Sequence, residues 1–148
     1  MVSIEFAISS IIALVALLLS IKSLRQQGEM FYDEKTSELI NKYSKKNNEI
    51  NELINDVQTS LTLTNLRCDV NSLNHIFRKS AKRISLELNQ LAEQQVTTHS
   101  SLIIELHAKK TKNWRKSLAL SDAYAEDNYS KTKKKLLTLK KLSKALVN

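Results

Sequence analysis

Four residues carry the side chains most often recruited as nucleophiles, metal ligands or general bases: Cys68, His75, His99 and His107. Cys68 and His75 are seven apart, which puts them on one helix face two turns from each other. A thiol nucleophile needs its base within hydrogen-bonding reach, and about 10 Å of axial separation denies that within one straight helix. Asp69 beside Cys68 does not close the gap. His99, Glu105 and His107 miss the i, i+4 histidine pair of a helical zinc site. No spaced carboxylate pair lies in apolar surroundings that would hold one member protonated. A single Cys excludes multi-cysteine zinc sites and intramolecular disulfides. The one glycine, Gly28, excludes a glycine-rich phosphate loop. The sequence therefore predicts no enzyme, no metal, no cofactor and no small-molecule substrate, with Cys68 as a small apolar seam residue.

The elements that would carry these residues follow from the same scarcity. An average domain of this length holds roughly ten Gly and seven Pro; this one has one Gly and no Pro. Sheet folds use both in their turns, so the expected class is all-α. The expected layout is an N-terminal single-pass transmembrane helix followed by a cytoplasmic coiled-coil or helical-hairpin bundle. It divides into an anchor (1–27), a heptad-patterned region (28–99) and a basic C-terminal region (100–148).

The anchor rests on an uncharged run from Phe6 to Ile21, extended past Glu5 by Ile4. From Ile4 to Ile21 a helix spans about 27 Å, within the transmembrane range. Glu5 falls at one interface, and Lys22 can snorkel at the other. No Lys or Arg precedes the run and no A-x-A-type site follows it, which disfavours a cleaved signal. Ile11 to Leu19 shows no polar stripe, which disfavours a core helix. The positive charges Lys22, Arg25, Lys35, Lys42, Lys45 and Lys46 all follow the span. The positive-inside rule then predicts the N-terminus outside and the C-terminal region in the cytoplasm. Ser9, Ala13, Ala16 and Ser20 form a small-residue face suited to helix association in lipid. A break is expected at Gln26-Gln27-Gly28.

Beyond it the apolar residues become regular. Ile50, Ile54, Val57 and Leu61 form one run. Leu63, Leu66, Val70, Leu73, Phe77, Ala81, Ile84, Leu88 and Leu91 form a second, with a four-residue insertion near Phe77 to Ala81. About two apolar positions per heptad make a narrow stripe, suited to a seam of two or three helices from this chain or from copies of it. Gln94 to Ser101 are poor helix formers, so a turn is expected there, with Ser100 or Ser101 capping the next helix. A further boundary is expected at Ser121-Asp122.

The formal charge of +8 is unevenly held. Residues 1–108 carry a net −1 and residues 109–148 a net +9. The basic residues of that last segment are Lys109, Lys110, Lys112, Arg115, Lys116, Lys131, Lys133, Lys134, Lys135, Lys140, Lys141 and Lys144. They are candidates for binding a polyanion or a partner protein, and Leu136, Leu139, Leu142 and Leu146 share one face of the same helix. The competing expectation is that this leucine face docks on the chain's own bundle. Trp114 could stack on a base, or serve as a core or interface residue. Arg78, Lys79, Lys82 and Arg83 read as a solvated flank of the heptad helix.

These features suggest a membrane-anchored helical scaffold or assembly subunit, partnered by the lipid bilayer and by copies of itself or another helical protein. One alternative is a small toxin-like, channel-forming or defence-associated membrane effector. It ranks lower because Phe6 to Ile21 holds no ionisable residue with which to line an ion path. Another is a membrane tether for nucleic acid.

Overall fold

The computed structural model describes residues 2–68, 75–108 and 113–147, with side chains described for 11–66, 76–108 and 113–147. Among the described residues there are three helices and no strands: α1 (Val2–Cys68), α2 (His75–His107) and α3 (Trp114–Val147). The chain is all-α. It divides into two compact units, Met1–Glu38 and Leu39–Asn148.

In the first unit α1 continues through Gly28, so the expected break is absent. Glycine there costs roughly 0.5–1 kcal/mol relative to alanine. Good helix formers flank it, and an Arg25–Glu29 pair at 3.4 Å, spaced i, i+4, bridges it. Every residue from Ile11 to Ile21 is exposed. This helix is long and apolar enough to cross a membrane.

The second unit is a three-helix bundle, and side-chain pairs fix its directions. Lys42 meets Asp122, Lys133 meets Glu49 and Lys140 meets Asp56, so α1 and α3 ascend together. His99 meets Tyr129 and Ser121 meets Glu105, so α2 runs antiparallel to α3. Each helix buries one heptad stripe. In α1 it is Tyr43, Ile50, Ile54, Val57, Leu61 and Thr64; in α2 Ala81, Ile84, Leu88, Leu91, Gln95, Leu102 and Leu106; in α3 Leu118, Ser121, Ala125, Tyr129, Leu136, Leu139 and Ser143. Steps of three, four and seven keep each stripe narrow, as one face against two neighbours requires.

Four further expectations are corrected. The long second run is not one helix: α1 ends at Cys68 and α2 begins at His75. Cys68 and His75 thus belong to different helices, and the axial separation drawn from one straight helix does not apply to them. Helix α2 passes through Gln94 to Ser101, because Gln95 is buried in the stripe and Thr97 Oγ1 donates to the Glu93 carbonyl at 3.0 Å. Tertiary packing outweighs weak propensity there. Helix α3 passes through Ser121-Asp122, whose side chains bond to α2 and α1. Helix α3 opens earlier, where the Asn113 carbonyl accepts from the amides of Lys116 and Ser117, both at 3.1 Å. Finally, the buried stripe of α1 continues from Leu61 to Thr64, and Leu63 and Leu66 are exposed. The boundaries expected at 27/28 and 99/100 fall inside α1 and α2.

Candidate functional site

The polar groups that converge most closely lie in the second unit, where α1, α2 and α3 meet. Tyr43 of α1 is fully buried and Tyr129 of α3 almost so. Their rings lie 5.3 Å apart, tilted by 35°. His99 of α2 meets the Tyr129 ring edge-on, its Nδ1 2.6 Å from the Tyr129 hydroxyl. Gln95 lies one turn before His99 and is buried. Its Nε2 donates to Asn47 Oδ1 on α1 at 3.1 Å. All three helices thus contribute to one hydrogen-bonded layer across a largely apolar seam.

Heptad spacing puts the layer there. Tyr43 is seven before Ile50, Gln95 four after Leu91, and Tyr129 seven before Leu136, so each stands at a core register position. Buried amides and hydroxyls must be paired, and these are. A misregistered bundle would separate them, so the layer discriminates one alignment of the helices from its neighbours.

An ionic shell borders the layer. The Tyr43 hydroxyl donates to the Asp122 carboxylate and lies 2.8 Å from the Asp122 carbonyl oxygen. Lys42 Nζ is 2.7 Å from Asp122 and 3.2 Å from Glu126, and Lys46 also pairs with Glu126. Burial works to raise the Asp122 pKa. Hydrogen bonds from Lys42 and Tyr43, with the charges of Lys42 and Lys46, outweigh it and hold the carboxyl below its ordinary value. The hydrogen bond to Asp122 raises Lys42. Burial raises Tyr43 and pushes Tyr129 up to about 12. Burial also lowers His99, which favours a neutral ring. The layer has phenols held protonated and an imidazole held neutral, tied together by hydrogen bonds between helices. Its geometry suits alignment of helices.

The residues singled out in the sequence are distributed as follows. Ala13, Ala16 and Ser20 are exposed on α1, and Ser20 Oγ donates to the Ala16 carbonyl at 2.9 Å. The Ser9 side chain lies outside the described residues. Ile84, Leu88 and Leu91 are buried in the α2 stripe, whereas Phe77 is exposed. Val70 and Leu73 lie outside the described residues, as do Lys109, Lys110 and Lys112. Leu136 and Leu139 dock on the chain's own bundle, while Leu142 is half exposed and Leu146 half buried. Lys133 and Lys140 pair with Glu49 and Asp56 of α1, and Lys131 with Asp127 of α3. Lys116, Lys134, Lys135, Lys141 and Lys144 are exposed. Trp114 opens α3 half buried, with the Arg115 guanidinium 5.2 Å over its ring. Among the described residues no cluster of three or more His, Cys, Asp or Glu is placed to hold a metal.

Sequence reasoning missed the polar layer because it read Gln94 to Ser101 as a turn. The available signal was the phase of the α2 stripe set by Ile84, Leu88 and Leu91: counting on by fours from Leu91 reaches Gln95 and His99. Compared with known proteins, the chain matches no family model, no curated protein and no solved structure.

Proposed function

We propose that this chain is a membrane-anchored helical scaffold or assembly subunit. The observation that carries the reading is the uniform exposure of the apolar N-terminal stretch. Val15 is 48 % exposed and Leu24 67 %, whereas Leu88 in the bundle is 1 % exposed. A ring of Ile, Val and Leu facing outward on all sides of a helix is stable in hydrocarbon and costly in water. Its side chains stay exposed from Ile11 to Ile21, and lipid is the solvent that suits them.

In this reading the lysines and arginine after the span keep the bundle on the cytoplasmic side. Copies associate through the face formed by Ala13, Ala16 and Ser20. The Ser20 hydroxyl is already paired with its own helix, so the face presents small groups that admit a neighbouring backbone. Confinement to two dimensions raises effective concentration, which makes weak contacts between copies or with a helical partner adequate.

The test is fractionation of lysed cells by ultracentrifugation, without and with detergent. The chain should pellet with membranes, resist carbonate extraction and be released by detergent. Recovery in the supernatant without detergent would overturn the proposal. Replacing residues 4–21 with an unrelated transmembrane segment should preserve partner capture; loss of function together with membrane leakage on overproduction would favour an effector instead.

A further inference from the structure

We infer that one end of the bundle is a nucleic-acid-binding surface, built jointly from two basic clusters that are far apart in the sequence. The first is Arg78, Lys79, Lys82 and Arg83 near the start of α2; the second is Lys134, Lys135, Lys141 and Lys144 toward the end of α3. Because α2 and α3 are antiparallel, the start of one lies beside the end of the other. Arg83 and Lys135 line the same groove between the two helices, together with Leu86, Gln90 and Gln94 and one acid, Glu87. Arg83 and Lys135 thus join the flank and the C-terminal segment along one groove.

Among the described residues the charge is polarised along the bundle. At this end, residues 49–66, 76–92 and 130–147 hold eleven basic and four acidic residues. At the other, residues 39–48, 93–108 and 113–129 hold five of each. Two of the four acids at the basic end, Glu49 and Asp56, are already engaged by Lys133 and Lys140. All eight residues of the two clusters are exposed. Steps along each helix and the ~8–10 Å between packed helices spread these cations in two dimensions. Phosphates bound by such an array release counterions, which makes binding strong at low salt and indifferent to base sequence. A protein partner would be expected to find a desolvated aromatic or arginine anchor at the centre of the patch. Here the groove holds no aromatic side chain, and its two cations, Arg83 and Lys135, stay exposed on long stems, which suits phosphate better. Lysine predominance fits diffuse attraction to a backbone over base readout.

This inference does not depend on the membrane proposal, and its test separates the two. The full chain in neutral phosphatidylcholine nanodiscs is titrated into a fluorescein-labelled 30-base-pair duplex of mixed sequence, followed by anisotropy. About six phosphate contacts predict a slope near −5 in log affinity against log salt, or roughly a thousandfold loss between 50 and 200 mM. A second duplex of unrelated sequence should bind within about threefold of the first. Lys79→Glu with Lys82→Glu and Arg83→Glu should weaken binding at least tenfold, and so should Lys134→Glu with Lys135→Glu and Lys141→Glu. Lys45→Glu with Lys116→Glu, at the opposite end, should change it less than threefold. The corresponding Gln sets, checked for unchanged helicity, repeat the comparison should a Glu set misfold. Three results would overturn the inference: no binding at 50 mM salt, an effect of the α3 set without any effect of the α2 set, or avid binding to phosphatidylserine vesicles that duplex does not compete away.

Discussion

Helix α1 carries two apolar regions of opposite design. From Ile11 to Leu24 large aliphatic side chains point outward all round the helix and stay exposed. From Tyr43 to Leu61 apolar side chains occupy one stripe and are buried, with Val57 at 0 % exposure and Ile50 at 2 %. Residue type alone does not separate the two, since both are rich in Ile, Leu and Val. Angular distribution does. A stripe can be satisfied by two neighbouring helices, and here α2 and α3 supply them. A full ring presents apolar surface on every side, the pattern that the membrane proposal matches to an apolar solvent.

The largest expected effect strikes the ring. Leu14→Lys with Leu17→Lys places two charges mid-span, each costing about 2.5–3.5 kcal/mol on insertion. Membrane association should fall by several orders of magnitude, read as a shift from pellet to supernatant or as loss of the chain to proteolysis. Bundle unfolding, followed by denaturant titration in detergent, should stay as it was. Unchanged pelleting would mean that the ring is not what holds the chain to lipid.

Next comes the stripe. Leu88→Ala removes a fully buried side chain and should destabilise the bundle by about 2–5 kcal/mol, while leaving the chain in the membrane pellet. The conservative partner is Leu18→Ala in the ring, which should leave bundle unfolding unchanged. If both substitutions lowered bundle stability alike, the two regions would not be independent, and the contrast between them would fail.

Much of this contrast was legible in the sequence, because hydrophobic periodicity is read one helix at a time. The uncharged run to Ile21, the all-α class and the stripe positions Ile50, Ile54, Val57, Leu61, Ile84, Leu88 and Leu91 needed no knowledge of neighbours. The helix ends were harder. Gly28, Gln94 to Ser101 and Ser121-Asp122 all carry local breaker signals, yet α1, α2 and α3 run through them. At Gln95, Ser121 and Asp122 the side chains that favour turns in isolation find partners on another helix. Those partners are 16 to 80 residues away and leave no trace in a local window. The same distance hid the joining of the two basic clusters, which only the antiparallel pairing of α2 and α3 brings together.

The polar layer offers a finer test of the stripe. Tyr129→Phe removes the hydroxyl paired with His99 Nδ1 and leaves that half-buried nitrogen without it. The expected loss is about 1–3 kcal/mol in denaturant titration, smaller than that of Leu88→Ala. A neutral result would mean that the layer aligns the helices without contributing net stability, in which case alternative registers should appear as line broadening or multiple signals by NMR.

His99 adds a pH dependence whose sign is fixed by its burial. Its folded pKa lies below the ordinary histidine value, so the unfolded chain binds the proton more readily. The stability that rests on a neutral His99 is present above about pH 6.5 and lost as pH falls through the folded value. Asp122 and Glu126 are also lowered, and their contribution is lost only further down, below the ordinary carboxylate range. Melting temperature should therefore begin to fall between about pH 7 and 5, before the carboxylates titrate. His99→Gln should flatten that first decline and leave the second. A first decline that persists in His99→Gln would assign it to some other group.

The smallest effect is expected at the ion pairs on the outside of the bundle. Glu49 and Asp56 are held below their ordinary pKa values, chiefly by hydrogen bonds from Lys133 and Lys140. Both carboxylates stand in water, where salt screens the attraction and ordering two long side chains opposes it. Glu49→Gln with Asp56→Asn should leave the denaturation midpoint within error of the parent, at 50 mM and at 500 mM salt alike. A large loss at low salt that vanished at high salt would show that charge between α1 and α3 holds the bundle together. The buried stripe would then not be the feature that distinguishes the lower part of α1 from its apolar ring. A null result here strengthens the case that each region is governed by where its apolar surface can go.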